Sequence, residues 1–160
     1  MINNLSCPLD RSIAESIVKM KMVNKVKIFS FPIKGDSRGS LIAIESNKDI
    51  PFDIKRIYYI FDTKPGVVRG HHAHKTLEQM LICASGSCTI VLDDGENRNE
   101  VVLSDPSSGL YVGPNIWHEM KDFSEGAVLL VLASDFYNEN DYIRNYDEFI
   151  HYIRSIHREG

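Results

Sequence analysis

From Val23 onward, apolar and polar positions alternate in short runs separated by turn residues. Val26 to Phe31 partly alternates and stops at Pro32. Lys34-Gly35-Asp36-Ser37-Arg38-Gly39 is turn chemistry, and Ser40 to Glu45 is a second short strand. Ile54 to Asp62 alternates more strongly, with Ile57, Tyr59 and Phe61 on one face and Arg56, Tyr58 and Ile60 on the other. Tyr59 is the one expected in the core. Met80–Ser85 and Cys88–Leu92 read as strands joined across Gly86, and Asp94-Gly95 marks a tight hairpin because both residues tolerate positive φ. Val101–Leu103, Leu110–Val112, Trp117–Met120 and Val128–Ala133 continue the series. Short strands at such regular spacing predict an antiparallel sandwich or barrel rather than βαβ units.

The two ends change period. Asp10 to Met22 has a plausible N-cap and apolar residues Ile13, Ile17 and Met20 at helical spacing. A helix that short is marginal alone, so residues 1–22 form an extension that needs packing against the domain or a partner. Tyr142, Tyr146, Phe149, Ile150 and Ile153 also recur at helical spacing, which predicts a helix within Asp141 to His157. Residues 23–160 are therefore expected to form one all-β domain with helical ends.

Composition narrows the function classes. The 160 residues, 43% hydrophobic, suffice for one domain with a core. A formal net charge of -4 argues against a nucleic-acid footprint, which is normally basic. No apolar run approaches the ~20 residues of a membrane helix, and the N-terminus lacks a secretion-signal pattern. Cys7, Cys83 and Cys88 have no CxxC spacing, and Cys83 and Cys88 are expected as small core hydrophobes. A reducing cytoplasm is the simplest home.

Candidate chemistry concentrates in Val68-Arg69-Gly70-His71-His72-Ala73-His74-Lys75-Thr76-Leu77-Glu78-Gln79. In an extended run His72 and His74 share one face, with Cβ atoms roughly 6–7 Å apart. Two imidazoles so placed can bind a metal, move protons or hold an anionic ligand. His71 points the other way, and His151 and His157 fall on the C-terminal helix. Gly66, His72, His74 and Glu78 have the spacing of the first cupin signature, and His118 follows in a degraded second one, Gly113-Pro114-Asn115-Ile116-Trp117-His118. Read as a cupin, the chain resembles a jelly-roll β-barrel with a short N-terminal helix, a C-terminal helix, and His72, His74, Glu78 and His118 at its mouth. Such a set suits iron, manganese or zinc.

A longer ordered set of motifs narrows the resemblance. Asp36-Ser37-Arg38-Gly39-Ser40-Leu41, Lys55 to Asp62, Arg69 to Lys75, Leu92-Asp93-Asp94-Gly95, Gly109 to Pro114, Trp117-His118-Glu119-Met120 and Leu132 to Tyr137 follow one another over roughly residues 25 to 155. Together they resemble the nucleotide-sugar 3,4-ketoisomerases that act on dTDP-4-keto-6-deoxyglucose. The extension before Val23 has no counterpart in that family.

That resemblance implies a metal-independent isomerase with no cofactor, in which His72 takes the carbon 3 proton and His74 protonates carbon 4 or orients the oxygens. Imidazole, with an ordinary pKa of about 6.5, suits both tasks near neutral pH. Arg69 and Arg56 are expected to meet the substrate's pyrophosphate, Tyr58 to hydrogen-bond the sugar or phosphate, and His118 to complete the polar wall. Arg38-Gly39 resembles the members that make the galacto-configured product, which feeds 3-amino-3,6-dideoxygalactose units of surface polysaccharides. The resemblance also implies a homodimer, with N-terminal strands exchanged through an edge such as Val26–Phe31. Three other readings stand beside it: a dTDP-sugar 3,5-epimerase, a metal-dependent cupin enzyme, and a non-catalytic sugar-binding cupin.

Overall fold

The computed structural model describes Val23 and residues 25–158. The helix expected at residues 10–22 and Cys7 lie outside the described residues. The rest resolves into β1 (Val26–Ser30), β2 (Lys34–Asp36), β3 (Gly39–Leu41), β4 (Arg56–Ile60), β5 (Arg69–His74), β6 (Gln79–Ser85), β7 (Cys88–Asp93), β8 (Arg98–Leu103), β9 (Ser108–Val112), β10 (Trp117–Lys121), β11 (Val128–Ala133) and β12 (Tyr142–Ile143), followed by helix α1 (Tyr146–Arg158).

Two five-stranded antiparallel sheets face each other, in the orders β1-β9-β6-β11-β4 and β12-β5-β10-β7-β8, and β2-β3 forms a separate hairpin. The period-two pattern of each strand sorts its side chains between inside and outside. Leu81, Cys83, Ile90, Leu92, Leu110, Met120, Leu129 and Val131 meet between the sheets and form the main core. Met80, Ile82 and Leu132 point out of the first sheet, where Phe31, Ile50 and Phe52 cover them. Ala73 and Trp117 point out of the second sheet, where Phe149 and Ile153 of α1 cover them. This is the antiparallel sandwich that the strand series predicts and the jelly roll that the cupin resemblance implies, and Cys83 and Cys88 are buried free thiols within it. No helix among the described residues is long and apolar enough to cross a membrane.

Two expectations change. The C-terminal helix expected within Asp141 to His157 is present as Tyr146–Arg158, but Tyr142, counted in its spacing, lies outside it. Asn145 caps the helix by accepting the Glu148 N–H at 3.0 Å. Upstream of that cap the backbone is committed elsewhere: Glu139–Asp141 is a 3-10 turn, and Tyr142 and Ile143 pair with His74 and Ala73 of β5. Tyr59 is not in the core. β4 is the edge of its sheet and sends Tyr58 and Ile60 inward, leaving Ile57, Tyr59 and Phe61 56–60% exposed.

Candidate active site

A bulge positions the histidines. β5 pairs with β10 with a register shift between His118 and Glu119, so that His72 lies opposite His118 while Gly70 lies opposite Glu119. Gly70 (φ 89°) and His71 (φ 53°) both take left-handed backbone here. Only glycine fits the first of these, because a Cβ at Gly70 would sit 2.8 Å from the His118 carbonyl oxygen. The kink sends His71 outward, 3.8 Å from Glu119, and returns His72 and His74 to the inner face.

His72, His74 and His118 then form one buried cluster, with relative exposures of 9%, 3% and 1%. Their ring centroids lie 4.5 Å apart for His72 and His118, 4.9 Å for His72 and His74, and 5.9 Å for His74 and His118. Each holds Nδ1 against an acceptor: the Gly70 carbonyl at 3.0 Å for His72, the Asp141 carboxylate at 3.0 Å for His74, and the Ile116 carbonyl at 3.3 Å for His118. An acceptor-only partner requires the proton on Nδ1, which leaves a lone pair on each Nε2. None of the three Nε2 atoms has a hydrogen-bond partner. Burial disfavours the imidazolium in all three. It lowers His72, takes His74 to about 4 with help from His72, and drives His118 well below the ordinary range. All three are neutral at pH 7, the form that can accept a proton.

Glu78 does not join them. It precedes Gln79, whose side chain points inward and donates to the Tyr58 hydroxyl at 2.8 Å, so the alternation of β6 turns Glu78 to the outer side. There it accepts the Tyr111 hydroxyl at 2.5 Å, beside the outer cluster to which Tyr111 belongs. The expected set of three histidines and a carboxylate therefore does not assemble. The three imidazoles alone bring one ring nitrogen each to within 4.8 Å of the others. The residues do not fit the four-ligand metal site of the cupin signature.

A cavity of about 490 Å³ opens over the cluster. Its lining includes His72, Arg56, Arg69 and Tyr58 from the sequence prediction, and Tyr142, Tyr137 and Arg144, which that prediction missed. His74 and His118 sit behind His72 rather than on the open wall. Tyr142 packs its ring against His74 at 4.3 Å and His72 at 4.9 Å. Tyr58 keeps its proton, since burial foremost pushes its hydroxyl up to about 12. Gln79 donates to its oxygen, which leaves the Tyr58 O–H free to donate into the cavity. Three arginines face the same space. Arg56 lies beside the Tyr58 and Tyr137 rings, while Arg144 stacks on Tyr142 at 4.2 Å and is paired with Glu139. Arg38 is not brought here: it stands on the β2–β3 hairpin, 86% exposed and paired with Asp36.

Comparison with known proteins identifies the family. Over 133 residues the chain is 59% identical to TDP-4-oxo-6-deoxy-alpha-D-glucose-3,4-oxoisomerase of Aneurinibacillus thermoaerophilus, covering 83% of this chain and 96% of that protein. A mutant of the 3,4-ketoisomerase QdtA from Thermoanaerobacterium thermosaccharolyticum, solved in complex with TDP-4-keto-6-deoxyglucose, superposes with a TM-score of 0.82 at 48% identity, covering 84% of this chain and 97% of that one. The WlaRB TDP-quinovose 3,4-ketoisomerase of Campylobacter jejuni does so with a TM-score of 0.78 at 59% identity, covering 81% of this chain and 99% of that one. The family model described as FdtA, WxcM-like, C-terminal spans residues 24–154, so the chain belongs to the FdtA family.

Proposed function

We propose that this chain isomerises dTDP-4-keto-6-deoxyglucose to a dTDP-3-keto-6-deoxyhexose by proton transfer through an enediol. The observation that carries this reading is the 59% identity, across nearly the whole of its length, to a 3,4-oxoisomerase of that sugar nucleotide. The cavity has the matching chemistry. His72, neutral and with a free Nε2 lone pair on the open wall, takes the proton from carbon 3. The electron pair of that C–H bond becomes the carbon 3–carbon 4 double bond, and the carbonyl electrons move to oxygen 4, which takes up a proton. In the second half the hydroxyl on carbon 3 gives up its proton to become the new carbonyl, and carbon 4 is protonated. Protons given and taken balance, and no redox partner is needed. Tyr58 donates a hydrogen bond to the oxygen on which charge develops. His74, directly behind His72, takes and returns protons, and His118 completes the wall. Arg56 and Arg69 hold the pyrophosphate, since a guanidinium fork matches phosphate oxygens.

The arrangement supports a galacto product. In the substrate the axial hydrogen of carbon 3 lies on one face of the ring. All three imidazoles come from one sheet, so removal and delivery occur on that same face, which leaves the carbon 4 hydroxyl axial. Arg38-Gly39 favours the same product. The gluco product is favoured instead by the name of the Campylobacter relative, which refers to quinovose. For Arg38 to reach substrate, its hairpin must serve the cavity of a second copy. The edge position of β1 in its sheet and the 58% exposure of Ile33 and Leu41 at the hairpin support such a strand-exchanged homodimer. NMR of the product formed from dTDP-4-keto-6-deoxyglucose tests the reaction and its configuration together, and gel filtration tests the dimer.

A further inference from the structure

Asp141 lies 67 residues from His74 in sequence and beside it in space. It ends the 3-10 turn Glu139–Asp141, and the next residue, Tyr142, pairs with His74 across β12 and β5. Both ends of the carboxylate are occupied by different partners. Oδ1 accepts the Thr76 backbone N–H at 2.8 Å and the Thr76 hydroxyl at 2.7 Å. Oδ2 faces His74 Nδ1 at 3.0 Å. The Asp141 carbonyl accepts the Lys75 N–H at 2.9 Å, and the Lys75 ammonium donates to the Asn140 carbonyl at 2.8 Å, so the residue is held from both directions. Burial works against the Asp141 charge, but the Thr76 hydrogen bonds and then His74 hold its carboxyl below the usual range. His72 and His118 lean on neutral carbonyls; within the described cluster His74 alone has a carboxylate.

We infer that Asp141 is the positioning residue of the histidine cluster: it fixes His74 as the Nδ1–H tautomer and keeps its Nε2 lone pair turned toward His72 and His118. The inference rests on the isomerase reading and deepens it, because a proton passed back from the cavity wall needs an acceptor whose orientation and charge are provided for. An ionised carboxylate accepts only, so Nδ1 must donate to it. Should His74 take up a proton, the imidazolium forms beside an anion rather than beside a carbonyl. This is the role a carboxylate plays behind the imidazole in hydrolase triads, reached here on an unrelated fold.

Asp141→Asn exposes the logic. The Thr76 backbone N–H can only donate, so the side-chain oxygen of Asn stays there and the amide NH₂ turns to His74. Nδ1 must then accept, its proton moves to Nε2, and the lone pair leaves the cluster. Shape is conserved. We expect kcat to fall at least about 10²-fold with KM within about threefold, in line with other loss-of-tautomer substitutions. The direct readout is ¹⁵N NMR of the histidine side chains: His74 protonated on Nδ1 in the wild-type chain and on Nε2 in D141N. A wild-type His74 protonated on Nε2 overturns the inference, whether or not D141N folds. So does a folded D141N that keeps the Nδ1–H tautomer, whatever its kcat, or one that changes tautomer and keeps kcat within about threefold. Because the tautomer is read without turnover, a wild-type chain that shows the Nδ1–H form but no isomerase activity would count against the function and not against the positioning.

Discussion

Glu78 accepts the Tyr111 hydroxyl at 2.5 Å on the side of the first sheet that faces away from His72. One residue further along, Gln79 points inward to Tyr58. A carboxylate with ligand spacing in the sequence is thereby removed from the histidines by the pleat of a single strand. Glu78→Gln is expected to keep kcat within about threefold, because the amide oxygen can still accept from Tyr111. Loss of a true metal ligand would cost far more, since even the outer partners of a metal site are worth 10–100-fold. Steady-state kinetics of E78Q, with elemental analysis and a chelator control, checks this.

His72→Asn should lose catalysis and keep binding. Of the clustered imidazoles it is the one that lines the cavity, and a general base contributes typically 10²–10⁴-fold. We expect kcat to fall within that range while TDP affinity, read by calorimetry, stays within about threefold, because Arg56 and Arg69, which line the cavity and are proposed to meet the pyrophosphate, are untouched.

Acid should destabilise the fold through the same cluster. The unfolded chain takes up protons at the ordinary imidazole value of 6.5, whereas folded His74 does so only at about 4, and His72 and His118 are also lowered. Stability from this source is complete above pH 6.5 and is lost as pH falls toward 4, where the unfolded state binds more protons. His74 alone contributes on the order of 3 kcal/mol over that window. Denaturant unfolding at a series of pH values measures it, and His74→Gln should flatten the slope between pH 6.5 and 4.

Gly70→Ala tests the bulge. The added methyl would meet the His118 carbonyl oxygen at 2.8 Å on backbone at φ 89°, so β5 or β10 must shift. A left-handed position costs of order 1–3 kcal/mol for a side-chain-bearing residue. We expect a lower Tm together with a larger loss of kcat than His71→Ala causes, since the shift moves His72 and His118, whereas His71 faces outward and is more than half exposed.

Much of this was readable from residue order. Strand after strand follows the period-two pattern, and His72 and His74 share the inner face with Ala73 outside, as their spacing requires. The misreadings have specific causes. Tyr142 fits the helical spacing of Tyr146 and Phe149, so periodicity alone places it on a helix face, whereas it lies on a short strand and covers His74. Tyr59 alternates as a core residue would, but alternation does not reveal that β4 is an edge whose outer face nothing among the described residues covers. Asp141 carries no local signal at all: its meaning comes from β12 pairing with a strand 67 residues earlier.

The proposed isomerisation is defined by where the carbonyl and the new proton end up. dTDP-4-keto-6-deoxyglucose incubated with the chelator-treated chain in heavy water, and followed by NMR, reads both. The proposed reaction gives a carbonyl at carbon 3, deuterium at carbon 4 with the hydroxyl there axial, and a rate that chelation does not diminish. Deuterium at carbon 5 with the carbonyl still at carbon 4, or activity that vanishes on chelation, would contradict it.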